Sequence, residues 1–221
     1  MPNTKGAGVA EESLSDLLGG RRAALDATAP VAGFLAGWLA AGQSIAWGSA
    51  VALVVALGVA GWRLRRGDRP AAVLAGLLGV ALAALVALRT GHAEDFFLIR
   101  LLSNGASALA WVVSIAVRWP LLGIVVGGVL GQRTRWRRDP ALLSAYAKGS
   151  WVWVAQYLVR LAVFLPLYAA GQVVALGVAQ IALTWPLVAA CVAVSWWVIR
   201  RSLPEGHPGL RHPRSEPAPT S

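Results

Sequence analysis

The sequence predicts an all-α polytopic membrane protein, a bundle of six transmembrane helices with a short re-entrant or interfacial segment after the fourth span. Three observations predict it. Hydrophobic residues make up 57% of the 221 residues and charged residues only 14%, outside the range of soluble globular domains. Between Ala27 and Pro204 the only carboxylates are Asp68, Glu94, Asp95 and Asp139. The basic residues behind the formal net charge of +10 collect in short segments between apolar runs, as cytoplasmic loops do, rather than along one nucleic-acid-binding face.

The yardstick for each element is a hydrocarbon core about 30 Å thick, which needs roughly 20 helical residues because lipid offers no partner to a backbone N–H or C=O. Residues 1–22 form a cytoplasmic N-terminal segment, in which Val9 to Leu18, closed by Gly19 and Gly20, reads as a short amphipathic surface helix. Its acidic Glu11, Glu12 and Asp16, with Asp26 beyond, are unlike the basic start of a cleaved signal, so the segment is expected to be retained. Residues 23–200 form the six-span domain. Its first span is Ala23 to Gln43, with Asp26 and Thr28 at the headgroups, because the strictly apolar part, Ala29 to Ala41, is short. Ile45 to Trp62, Ala71 to Leu88 and Leu98 to Val117 are the second, third and fourth spans. Pro120 to Gly131 is too short to cross, and Pro120 both ends the preceding helix and suits the first turn of a new one. Trp151 to Ala170 and Val173 to Ile199 are the fifth and sixth spans. Residues 201–221 mix Pro, Gly, His and charge without periodicity and read as a disordered cytoplasmic tail.

Charge sets the orientation. Six crossings place Arg21 with Arg22, the loop Arg63 to Arg69, the loop Arg133 to Lys148, and Arg200 with Arg201 all inside a bacterial cytoplasmic membrane, with both termini cytoplasmic. A seventh crossing at Pro120 to Gly131 would expel either a basic loop or the tail. The basic loops also predict contact with anionic lipids at the cytoplasmic face.

Polar side chains inside a span cost roughly 2.5–3.5 kcal/mol for a central Arg on insertion scales, so they should face protein or water. On the fourth span Arg100, Asn104, Ser107, Trp111, Ser114 and Arg118 recur at helical spacing, and on the fifth Trp153, Gln156, Tyr157, Arg160, Phe164 and Tyr168 do the same. The sixth adds Gln180, Thr184, Cys191 and Ser195, and Pro186 frees the carbonyl of Ala182. Arg160, Gln156, Tyr157, Ser107, Trp111, Asn104, Gln180 and Thr184 are therefore the candidate lining of a polar, net-positive cavity for a small solute or ion. The competing reading is that these groups join helices through hydrogen bonds.

A second cluster, His92, Glu94, Asp95 and Arg100 around Phe96 and Phe97, reads as an outer interfacial salt-bridge belt with Arg89 and aromatic anchors. One His beside two carboxylates does not supply a closed zinc site. No metal, no cofactor and no catalytic residues are expected, since no Ser-His-Asp set, phosphate-binding glycine loop or zinc-protease motif occurs. Gly33 with Gly37, and Gly123, Gly127 and Gly131, form small-residue faces for helix packing or a homo-oligomer. Pro30, Gly33 and Gly37 are echoed by Pro120, Gly123 and Gly127.

The segments GGRRAALDATAP at Gly19 to Pro30, HAEDFFLIRLLSNG at His92 to Gly105 and WRRDPALLSAY at Trp136 to Tyr146 resemble the actinobacterial DUF3159 family of integral membrane proteins, over most of residues 13–200. That resemblance implies a multi-pass membrane protein and carries no catalytic residues with it. His92, Asp95, Phe97 and Arg100, with Leu165 to Ala169, also resemble the intracellular septation protein A family, although Arg100 stands where that family has Lys and its following Trp-Lys-Pro is absent. This likeness implies a part in envelope maintenance through membrane partners.

The expected function is permeation or binding of a small solute or ion through the polar cavity between spans four to six, without enzymatic activity. The alternatives are a cell-envelope or division scaffold that holds a membrane-protein partner, and a lipid-modifying enzyme built on His92 with Asp95.

Overall fold

The computed structural model describes residues 20–131 and 134–204, with side chains from residue 28 onward. The expected surface helix at Val9 to Leu18, the side chains of Arg21, Arg22, Asp26 and Arg133, and the tail from residue 205 onward lie outside the described residues. Among the described residues seven α-helices follow in chain order: α1 (Gly20–Ala40), α2 (Ile45–Arg65), α3 (Pro70–Thr90), α4 (Leu98–Ala116), α5 (Leu121–Val129), α6 (Pro140–Ala169) and α7 (Val173–Ser202). Short 3-10 turns at Ala93–Phe97 and Arg135–Arg138 precede α4 and α6, and no strand occurs among the described residues.

Five of the helical segments are long and apolar enough to cross a membrane: α2, α3, the turn Ala93–Phe97 together with α4, α6 and α7. The chain is a multi-pass membrane protein. In α3 the large side chains Leu74, Leu78, Leu82, Leu85 and Leu88 point outward while Val73, Ala83, Ala84 and Ala87 are buried. Water would penalise that distribution at roughly 25 cal/mol per Å² of exposed apolar surface, whereas lipid accepts it and small inward residues let backbones approach. α1 has 21 residues, but its strictly apolar part is the shorter stretch Thr28–Ala40. With nine residues, α5 rises about 14 Å and falls short of the roughly 30 Å core.

The chain divides into two compact units. The first comprises, of the described residues, 20–99 and 167–184. Within it α1 packs on α2 and α2 on α3. The α1–α2 crossing is glycine-built: a Cβ on Gly37 would meet the Trp47 carbonyl oxygen and Val51 Cγ2 at 2.8 Å, and one on Gly48 would meet the Phe34 carbonyl oxygen at 3.0 Å. Gly42 and Gln43, with φ of 62° and 65°, turn the chain between these helices, and the Ser44 side chain caps α2 by accepting from the Trp47 N–H. Gly91, at φ 75°, ends α3. The following turn is buried: Phe34 stacks on Phe96 with ring centroids 4.0 Å apart, and Phe97 lies edge-on to both rings. Phe96 and Phe97 are thus core residues instead of the expected interfacial anchors, because Phe34 of α1 supplies them with an aromatic partner.

The second unit comprises the described residues among 100–166 and 185–204. Its apolar core is Leu122, Trp136, Leu142, Ala145, Tyr146 and Ile199. Here the structure corrects the reading of Arg133 to Lys148 as a loop, since α6 begins at Pro140 and runs 30 residues. Asp139 sets that start: its Oδ1 accepts from the N–H groups of Ala141 at 3.1 Å and Leu142 at 3.3 Å, and Pro140 occupies the first helical position, where a missing N–H costs nothing. Trp136 anchors the preceding turn, packing edge-on to Tyr146 and lying over Gly123, whose added Cβ would meet the indole at 2.8 Å.

Arg118 does not continue the α4 stripe. The helix stops at Ala116 and Arg118 takes φ 56°, closing a C-terminal cap in which its N–H bonds to Ile115 and that of Trp119 to Ser114. Gly131 likewise lies past the end of α5 at φ 66° with nothing near it, so it belongs to no packing face. Pro30 lies inside α1 whereas Pro120 precedes α5, so the sequence echo is not a structural repeat.

Candidate polar seam of the second unit

The helical spacing that sets polar residues on one side of α4 and α6 also sets which of them meet. Trp111 of α4 stacks on Trp153 of α6, with centroids 5.2 Å apart and planes 7° from parallel. Arg100 interacts electrostatically with Tyr157 and Arg160. An early residue of α4 thus lies toward late residues of α6, beyond the Trp111–Trp153 stack, so the helices run antiparallel. In that register Asn104, seven residues before Trp111, is level with Arg160, seven after Trp153. Ser107 is correspondingly level with Tyr157.

Burial divides the candidates. Asn104 and Gln156 are each 3% exposed and Arg160 is 6% exposed, while Arg100, Ser107, Trp111 and Tyr157 are half-buried. The Arg160 guanidinium sits over the Tyr157 ring at 5.8 Å. Among the described residues, the buried polar atoms Asn104 Nδ2, Trp153 Nε1 and Gln156 Oε1 of these helices have no hydrogen-bond partner. Two are donors and one is an acceptor. Leaving such an atom unmet costs roughly 1–3 kcal/mol, so each either meets a small polar molecule or destabilises the fold. Ser150 Oγ and Tyr146 Oη, on the same side of α6 toward its start, are also buried without a partner.

Other polar groups are accounted for by structure. The Ser114 hydroxyl donates to the Trp111 carbonyl at 2.7 Å and accepts from the Leu121 N–H at 3.3 Å, which ties the end of α4 to the start of α5. Cys191 and Ser195 of α7 are buried against α6, directed at the carbonyls of Val152 and Gly149. Gln180 and Thr184 belong to the first unit, where both are half-buried and the Thr184 hydroxyl donates to the Gln180 carbonyl of its own helix. Ala182 and Pro186 are both exposed.

The outer cluster departs from the expected belt. Asp95 is buried and accepts a hydrogen bond from the Tyr168 hydroxyl, a partner 73 residues away that spacing alone does not reveal. His92 is exposed and Glu94 half-buried. Among the described residues no ion pair links Arg89 or His92 to Glu94 or Asp95. Arg100, grouped with this cluster by sequence proximity, instead interacts with Tyr157 and Arg160 of the seam.

The Trp136–Tyr146 kernel and the Asp139 cap are missing from the sequence reading of candidate residues. The dipeptide Asp139-Pro140, a helix-start signal ahead of Leu142, Ala145, Tyr146 and Gly149 at helical spacing, carries the information.

The family described as "Protein of unknown function (DUF3159)" matches residues 18–206. Neither the curated proteins nor the solved structures contain a match to the chain.

Proposed function

Because the chain belongs to the DUF3159 family, whose description assigns no activity, we propose a role from the seam itself: a non-enzymatic protein that binds a small polar solute or ion along α4 and α6 and lets it pass. The observation that carries this is the set of unpartnered atoms Asn104 Nδ2, Trp153 Nε1 and Gln156 Oε1 on helices whose facing residues include the buried Arg160. Two guanidiniums, Arg100 and Arg160, interact within this unit. Asp139 is the one carboxylate among residues 100–166 and 185–204, and it caps α6. The charge of the seam therefore favours a solute that is anionic or rich in hydrogen-bond acceptors.

The proposed setting is the bacterial cytoplasmic membrane, crossed six times with both termini inside. Basic ends support this orientation: Arg63 and Arg65 close α2, and Arg200 and Arg201 close α7. α5 is read as re-entrant or interfacial, because Arg137, beyond its far end, returns to lie over Trp119 at its start.

Solute flux into proteoliposomes tests the role. Arg160→Gln should abolish it while the protein keeps its unfolding midpoint; no flux for any small anion or neutral polar solute, with a reproducible membrane partner on crosslinking, would turn the assignment to scaffolding. The small-residue faces that could serve an oligomer are already covered within the chain at Gly37 and Gly123, so a partner would have to use other surfaces.

A further inference from the structure

We infer that the basic turn Arg135–Arg138, together with Trp119, is a headgroup site for an anionic phospholipid. The turn is held from below: Trp136 is fully buried against Tyr146 and Gly123. Its neighbours Arg135, Arg137 and Arg138 are thereby all turned outward and exposed. Among the described residues no carboxylate is paired with any of the three, and the adjacent Asp139 is buried and directed at the start of α6.

Arg137 is further organised by Trp119, whose exposed ring lies 4.0 Å below the guanidinium carbon. A stacked guanidinium is fixed in plane while its N–H edge stays open to a phosphate, which it grips bidentately. Three exposed arginines, one of them held in plane and none paired with a carboxylate among the described residues, complement one phosphate group.

Lipid, and not a free anion, is indicated by what adjoins the charges. α5 packs against this turn and exposes Ile124, Val125 and Val129. A headgroup on the arginines leaves its acyl chains beside that apolar face. The Arg200–Trp196 and Arg201–Trp197 pairs of α7 are ordinary same-helix pairs, at 4.6 and 4.7 Å, without a third arginine in that helix. They serve as the internal control.

The test is native mass spectrometry of the full-length protein in micelles to which phosphatidylglycerol or phosphatidylcholine of matched chains is added. Phosphatidylglycerol should be retained and phosphatidylcholine lost. Each arginine near an anionic surface contributes roughly a fivefold factor, so Arg135→Gln, Arg137→Gln and Arg138→Gln combined should weaken retention on the order of a hundredfold. Arg200→Gln with Arg201→Gln should leave it unchanged. Arg137→Lys keeps the charge but not the planar fork and should still weaken retention several-fold; it carries the test should the triple variant fail to fold. Three results would overturn the site: equal retention of both lipids, an equal loss in the α7 double variant, or wild-type retention in Arg137→Lys. Complete displacement of phosphatidylglycerol by inorganic phosphate at equal concentration would overturn lipid as the occupant.

Discussion

The α1–α2 crossing and the α4–α6 seam are both buried helix pairs in a chain surrounded by lipid, and they are built from different materials. At the first, Gly33, Gly37 and Gly48 bring backbones against Val51, Val55 and the Phe34 carbonyl, and α2 buries Gly48, Ser49, Ala52, Ala56 and Ala60 toward its neighbours. At the second, an indole stack holds the helices while an amide nitrogen, an amide oxygen and an indole N–H remain unmet beside an arginine. The first pair shows that this protein can join helices with small residues and one buried serine. The second carries three such unmet atoms beside an arginine, where the first carries one, the Ser49 hydroxyl.

Three variants test that contrast. The largest effect belongs to Gly37→Leu. Its Cβ alone would lie 2.8 Å from a backbone carbonyl oxygen that cannot move aside, so a loss of 3 kcal/mol or more, on the order of the upper end for overpacked cores, is expected; folded yield and the unfolding midpoint in detergent would report it. A midpoint equal to wild type would mean that the glycine crossing is not a tight joint. Next comes Gln156→Leu, expected to abolish solute flux while changing stability by less than about 1 kcal/mol, since polar contacts in membrane interiors average well under that value. A large drop in stability without a change in flux would reassign the seam to helix adhesion. The smallest effect is expected from Gly79→Ala in α3, where a Cβ would meet nothing within 4 Å. A gain of up to about 1 kcal/mol follows from helix propensity alone, and a loss would reveal a neighbour that packs on α3.

Hydropathy located the long apolar helices because length and composition act locally: the starts of α2, α3 and α7 lie within a residue of their expected positions. Periodicity likewise found Asn104, Gln156 and Arg160, which share the buried side of their helices. Long-range pairing was not legible. Nothing near Asp95 indicates that Tyr168 will bond to it, and nothing near Phe96 indicates Phe34. The start of α6 failed differently. Five basic residues between 133 and 148 dominate the local reading and suggest a loop, yet charge on one side of a turn is compatible with a buried Trp136 on the other. Arg118 escaped for a related reason: periodicity extrapolates a helix past its end, whereas the left-handed cap that stops it is set by backbone bonds to Ser114 and Ile115.

The 30 residues of α6 amount to about 45 Å, some 15 Å beyond a typical hydrocarbon slab. Lys148 and the arginine-bearing turn fix the surplus at the amino end, since neither charge can sit cheaply among acyl chains. That overhang carries Leu142, Ala145 and Tyr146, fully enclosed with Trp136. The molecule thus possesses a closed apolar plug at the amino end of α6 whose cohesion comes from its own side chains. Shortening the surfactant tails used for extraction should loosen the remaining helices well before amides around Tyr146 begin to exchange with deuterium.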